Sequence, residues 1–212
     1  DAMRAGLSRV CIGQVLSVLF AVGVLYVSTA QANTTDSTTY GSGKYDNCTY
    51  GSCTITLSSS GAVGLNVTPT PAGACSIAGD AVSVLTDSTS GYTLQLANTS
   101  TDTNMISGAN TIPVVSGTAA SPAVMSANAW GYRVDGTYGF GAGPTTTQSN
   151  ISAPIASFAT VPASNATAAT LLVTTGPANP AATTTTWYGL CADTTAVNGT
   201  YNSQVTYTAT TN

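Results

Sequence analysis

An all-β, antiparallel sandwich of the immunoglobulin-like or Greek-key type is the fold class this chain predicts, and three observations predict it. Thr is the commonest of the 212 residues (38), ahead of Ala (31), and β-branched side chains suit pleated strands. Short runs alternate apolar and polar residues with period two. Turn-forming Gly, Asn, Asp, Ser and Pro separate those runs at sandwich-like spacing, and nothing after residue 32 carries a sustained helical period.

The chain opens differently from the rest. Met3 reads as the start, and Arg4 and Arg9 make a basic leading region. Val10 to Val27 is then almost wholly apolar, and small residues at Ala30 and Ala32 follow it. That order reads as a secretory signal peptide, residues 1–32, cut after Ala32. Its uncleaved alternative is an N-terminal anchor helix, since about 18 apolar residues just span a bilayer. Cys11 stands at the beginning of the apolar run, where a lipoprotein cysteine would not. The chain has no Glu, which a type IV prepilin would carry early in its helix.

Residues 33–50 are polar and read as a flexible arm. Residues 51–212 read as one sandwich domain. Its first strand is Cys53 to Leu57. Ser58 to Gly61 turns the chain, and Ala62 to Thr68 returns with Val63, Leu65 and Val67 on one face, which predicts a hairpin. Asp80 to Thr86 and Gly91 to Ala97 read as the next pair, with Tyr92, Leu94 and Leu96 alternating. Asn98 to Ser107 is polar and reads as a short helical turn capped by Asp102. Pro113 and Pro122 keep the flanking runs off central strand positions. Trp130, Tyr132 and Val134 share one face, with Arg133 opposite. Gly136 to Asn150 reads as a long loop, and Ile155, Phe158, Leu171 and Val173 mark further strands. Trp187 to Cys191 and Gly199 to Ala209 read as a closing hairpin. In its last strand Tyr201, Ser203, Val205, Tyr207 and Ala209 point one way.

Four cysteines follow residue 32: Cys48, Cys53, Cys75 and Cys191. An even count behind an export signal reads as disulfides, paired Cys48 with Cys53 and Cys75 with Cys191. A zinc site would need all four thiolates, because the chain has no His, and their spacing lacks paired knuckles.

Composition narrows the function. Eight Asp, one Lys and three Arg give a net charge of −4. Without residues 1–32, seven Asp face Lys44 and Arg133, a net of −5. Two cations cannot supply the phosphate contacts of a nucleic-acid site. Without His, the Ser–His–Asp and Cys–His arrangements are excluded. The aspartates sit mostly in turn contexts and lack the Asp-Thr-Gly motif of aspartic proteases. Asp102 and Asn104 are the best calcium donors, without a dense cluster around them. The glycines between Gly136 and Gly143 lack the lysine and the helix of a phosphate loop. No cofactor, metal or catalytic residue is therefore expected. Trp187 and Tyr188 are the candidate ligand platform, because neighbours on a strand face opposite sides and one should lie outside. Seven Asn-X-Ser/Thr triplets, such as those at Asn33 and Asn165, matter only in a glycosylating host.

Four stretches carry a family likeness: Asn128 to Arg133, Thr186 to Cys191, Gly199 to Ala209 and Thr86 to Leu94. They resemble secreted surface proteins of Saccharibacteria and related candidate-phylum bacteria, over most of Cys53 to Asn212. The resemblance implies an extracellular β-sandwich and no particular activity. No wall-sorting signal of the kind frequent in that family is read near Asn212. That leaves secretion, the N-terminal segment, or assembly with other copies as the expected means of retention.

The function expected is an extracellular, non-enzymatic structural or adhesion protein, extending to a self-assembling surface or filament subunit. The alternative is a carbohydrate- or host-surface-binding module. Its partners would be further copies of itself or a host-surface glycan or protein, with no nucleic acid. A membrane enters only through an uncleaved N-terminal segment.

Overall fold

The structure is a computed structural model that describes residues 21–33 and 54–212. These residues form fourteen strands and no helix. The strands are β1 Ala21–Asn33, β2 Ile55–Ser59, β3 Val63–Val67, β4 Ala74–Thr86, β5 Tyr92–Asn98, β6 Met105–Ser107 and β7 Asn110–Ile112. After them come β8 Ala123–Met125, β9 Ala129–Arg133, β10 Gln148–Ser152, β11 Ile155–Phe158, β12 Ala169–Val173, β13 Ala178–Ala192 and β14 Thr200–Thr211. A seven-stranded sheet runs β12-β5-β14-β1-β3, with β6 and β7 beside β14. A five-stranded sheet runs β10-β4-β13-β9, with β2 on β4, and β8 and β11 pair by themselves.

The period-two alternation does what it should. Val63, Leu65 and Val67, then Tyr92, Leu94 and Leu96, then Tyr201, Val205, Tyr207 and Ala209 are all buried from the first sheet. They share one core with Val82, Val84, Trp130, Tyr132, Tyr188 and Leu190 of the second. Each of these larger side chains contributes about 1.5–3 kcal/mol relative to exposure. At the middle of the interface the hydroxyls of Tyr188 and Tyr207 lie 2.7 Å apart, so each polar tip is satisfied across the core.

The predicted hairpins are corrected. β4 and β5 belong to different sheets, and so do β13 and β14. Their strands were read rightly, but each chain reversal crosses the core. Alternation fixes which face is buried and leaves the choice of neighbour open.

The β2–β3 turn is likewise a change of sheet. β2 pairs with β4, from Ile55 opposite Thr86 to Ser59 opposite Val82, while β3 pairs with β1. The kink between them is pinned by the fully buried carboxylate of Asp80. It accepts from Ser59 Oγ at 2.9 Å, Ser60 N at 2.9 Å and Ser60 Oγ at 2.5 Å. Gly61 supplies the φ of +102° that releases the chain into β3.

The segment predicted to end in a cleavage site is partly described. Residues 1–20 lie outside the described residues, and Ala21–Asn33 is β1. It runs parallel to β14 from Val22 opposite Thr200 to Asn33 opposite Thr210, and antiparallel to β3. This is the one parallel strand ladder among the described residues. The arm assigned to residues 33–50, and Cys48 and Cys53 with it, lies outside them apart from Asn33.

Cys75 and Cys191 are disulfide-bonded across a sequence separation of 116, as expected. They face each other in register on β4 and β13. Around them sits a second apolar cluster of Ile77, Val115, Met125, Phe158 and Trp187. This cluster lies on the outer face of the five-stranded sheet, roofed by β8 and β11. Gly189 and Gly131, directly opposite each other in register, let the roof approach. A Cβ at Gly189 would stand 2.6 Å from the Phe158 ring.

Candidate functional site

Trp187 is 8% exposed and Tyr188 is fully buried. The premise that one neighbour must face solvent fails because β13 is covered on both sides. Tyr188 points into the main core and Trp187 into the cluster under the β8–β11 roof. Neither ring is open to a ligand. Among residues 54–212 the exposed aromatic is Tyr138.

A different polar surface forms where β5 ends. The run Asn98 to Asn104 is built from side-chain-to-backbone bonds at a stride of two. Asn98 Oδ1 accepts from Ser100 N at 2.8 Å, Ser100 Oγ from Asp102 N at 3.1 Å, and Asp102 Oδ1 from Asn104 N at 2.9 Å. Short polar side chains compete in this way with ladder and helix bonds. Asp102 therefore makes a turn rather than a helix cap, and the chain goes on into β6 instead of a helical turn.

The curled run faces the first half of β14 across a cleft of about 330 Å³, lined also by Asn202, Ser203, Gln204 and Ile106. Asn98 Nδ2 donates to Ser203 Oγ at 2.8 Å and ties the two walls together. The Oδ1 of Asn202 is buried without a hydrogen-bond partner. The cleft thus offers amides, hydroxyls and one carboxylate. Among the described residues no three acidic, His or Cys groups come together as metal ligands, and Asp102 is the one carboxylate in the lining that it shares with Asn104. The signal that would have found this cleft is the polar stride at Asn98, Ser100, Asp102 and Asn104.

The other described aspartates hold structure. Asp87 Oδ1 accepts from Thr54 N at 2.7 Å. Asp135 pairs with Arg133 at 2.7 Å. Arg133 is itself buried and donates on to the carbonyl of Phe140 at 3.1 Å. That bond fixes the glycine-rich loop, and Phe140 is buried against the Tyr132 ring. Asp193 Oδ1 accepts from Asn128 Nδ2 at 2.9 Å and from Thr195 N at 2.8 Å. The Thr195 and Asn128 bonds hold its carboxyl below the usual carboxylate range. It anchors the β13–β14 crossing.

No protein-family model matches this chain, and no curated protein matches it.

Proposed function

We propose that this protein is an extracellular, non-enzymatic structural or adhesion protein that assembles with copies of itself on a surface or in a filament. Its two sheets form a Greek-key sandwich of the immunoglobulin type, a domain over residues 51–212 to which Ala21–Asn33 adds a strand. The resemblance to secreted surface proteins of candidate-phylum bacteria belongs to the same proposal. One observation carries it: side-chain hydrogen bonds and an ion pair lock the body, and three acidic groups serve them. Asp80 holds the sheet-switching kink, Asp135 the Arg133 loop and Asp193 the last crossing. The Cys75–Cys191 disulfide is consistent with an oxidising compartment. Electron microscopy of the native exported material tests the proposal. Filaments or a lattice are expected, and dispersed single particles under all conditions would remove it.

The second reading, a carbohydrate-binding module, rests on the amide-lined cleft in place of Trp187 and Tyr188. A sugar would be met by Asn202, Gln204 and Asp102. Saturable binding on a glycan array that is lost in Asn202→Ala favours this reading. Binding that survives the substitution counts against it.

A further inference from the structure

We propose that Tyr138, with the turn that presents it, is a stacking platform for one ring of a neutral polysaccharide. This deepens the carbohydrate-binding reading and rests on it for the class of ligand, with the ring contact placed outside the amide-lined cleft.

The first observation is the backbone of Tyr138. It stands at φ +49°, a left-handed conformation. Any residue with a Cβ adopts that conformation at a cost. Phe140 N donates to the Thr137 carbonyl at 3.2 Å, so Tyr138 is the first central residue of a tight turn. Where that place takes a positive φ, Gly, Asn and Asp dominate. The same loop does use glycine at two other left-handed positions, Gly136 at +72° and Gly141 at +67°. Asn128 and Asn150 are left-handed too, and their side chains bond Asp193 and Thr68. The Tyr138 side chain makes no hydrogen bond with another described residue. Nothing in the fold offsets its strain in that way.

The second observation is that the ring is held outward on a fixed support. Tyr138 is 54% exposed, whereas every other Tyr, Trp and Phe of residues 54–212 is buried. On both sides of it the loop is tied down. Gly136 N donates to the Gly141 carbonyl at 2.8 Å, and Gly139 N to the Ala119 carbonyl at 3.0 Å. The Arg133 guanidinium donates to the Phe140 carbonyl at 3.1 Å. A Cβ at Gly139 would stand 2.6 Å from Pro122 Cδ, so Pro122 packs directly against the turn. A strained residue whose neighbours fix it, carrying an exposed ring, is a preorganised contact.

The third observation chooses the ligand. No charged residue occurs between Asp135 and Asp193, and Asp135 is paired with the buried Arg133. The exposed residues of the two packed loops are small: Ala120, Ser121, Gly139, Gly141 and Ala142. One ring with a border of small residues falls far short of the about 800 Å² that each partner gives to a stable protein interface. It suits the CH face of a single sugar ring, which an aromatic face covers while the hydroxyls stay wet. A net charge of −4 disfavours an acidic polysaccharide.

Affinity electrophoresis of the full chain tests the proposal, in gels carrying dextran, laminarin, mannan or the acidic polysaccharide alginate. Retardation by at least one of the three neutral polymers is expected, and none by alginate. Tyr138→Gly should weaken that binding at least about tenfold, because the stacked ring is gone. Tyr138→Phe keeps the ring and should keep the binding within about threefold. Tyr138→Gly should also leave the urea midpoint where it is, because relief of the strained φ offsets the entropy that glycine adds to the unfolded chain. A large fall in that midpoint would make the ring a structural part of the loop and overturn the inference. Equal retardation by alginate would overturn it as well. Binding lost in Asn202→Ala and kept in Tyr138→Gly would overturn the platform and leave the carbohydrate reading standing on the cleft. No retardation by any neutral polymer would overturn both.

Discussion

The hydroxyl of Tyr188, on β13, stands 2.7 Å from that of Tyr207, on β14, and joins the two sheets through one buried hydrogen bond. Both rings are fully buried. Replacing either by Phe leaves the other hydroxyl without its partner. Each single substitution should cost about 1–2 kcal/mol in urea denaturation, and the double one less than their sum. Strict additivity would show that the two hydroxyls do not act as a pair.

The same burial makes the fold sensitive to alkali. Burial pushes the Tyr188 and Tyr207 phenols well above their ordinary range, and pushes Tyr132 up to about 12. A group whose folded pKa is raised contributes stability that is complete below its unfolded value, about 10 for Tyr. That stability is lost as pH rises through the folded value. The denaturation midpoint should therefore fall steadily above about pH 10. Tyr207→Phe should flatten the fall, and an equal slope in the variant would contradict the assignment.

Asp80 is the hinge pin of the sheet switch. Asp80→Ala removes the acceptor of the Ser59 and Ser60 hydroxyls and one of the two acceptors of the Ser60 amide, which keeps the Ala81 carbonyl, and should destabilise by about 1–3 kcal/mol. Hydrogen exchange should localise the loss at β2 and the Ser59–Gly61 kink. Uniform loss across both sheets would argue against a local anchor.

Much of this architecture was legible in the sequence, for a physical reason. Alternation in Tyr92–Leu96 and Tyr201–Ala209 is set by burial, and burial follows directly from residue type. The Cys75–Cys191 pairing was legible as well. The partners of each strand were not. Nothing local distinguishes a turn that pairs β13 with β14 from one that carries the chain across the core. The site fared worse. Trp187 looked available because one face of a half-buried strand should be wet. The roof that covers it comes from Ala123–Met125 and Ile155–Phe158, short segments whose own pattern is weak.

The disulfide links β4 and β13 near one end of the five-stranded sheet. Converting Cys75 and Cys191 to Ala should cost about 4–5 kcal/mol by the chain-entropy estimate for a loop of separation 116. Thermal unfolding with and without the pair measures it. An unchanged midpoint would show that the bond adds nothing to the folded state.

Sedimentation velocity of the exported protein across a wide concentration range tests most directly whether its use lies in assembly through its surface. An open series of species that grows with concentration is the outcome expected of a head-to-tail subunit. A single monomeric boundary at every concentration would contradict it.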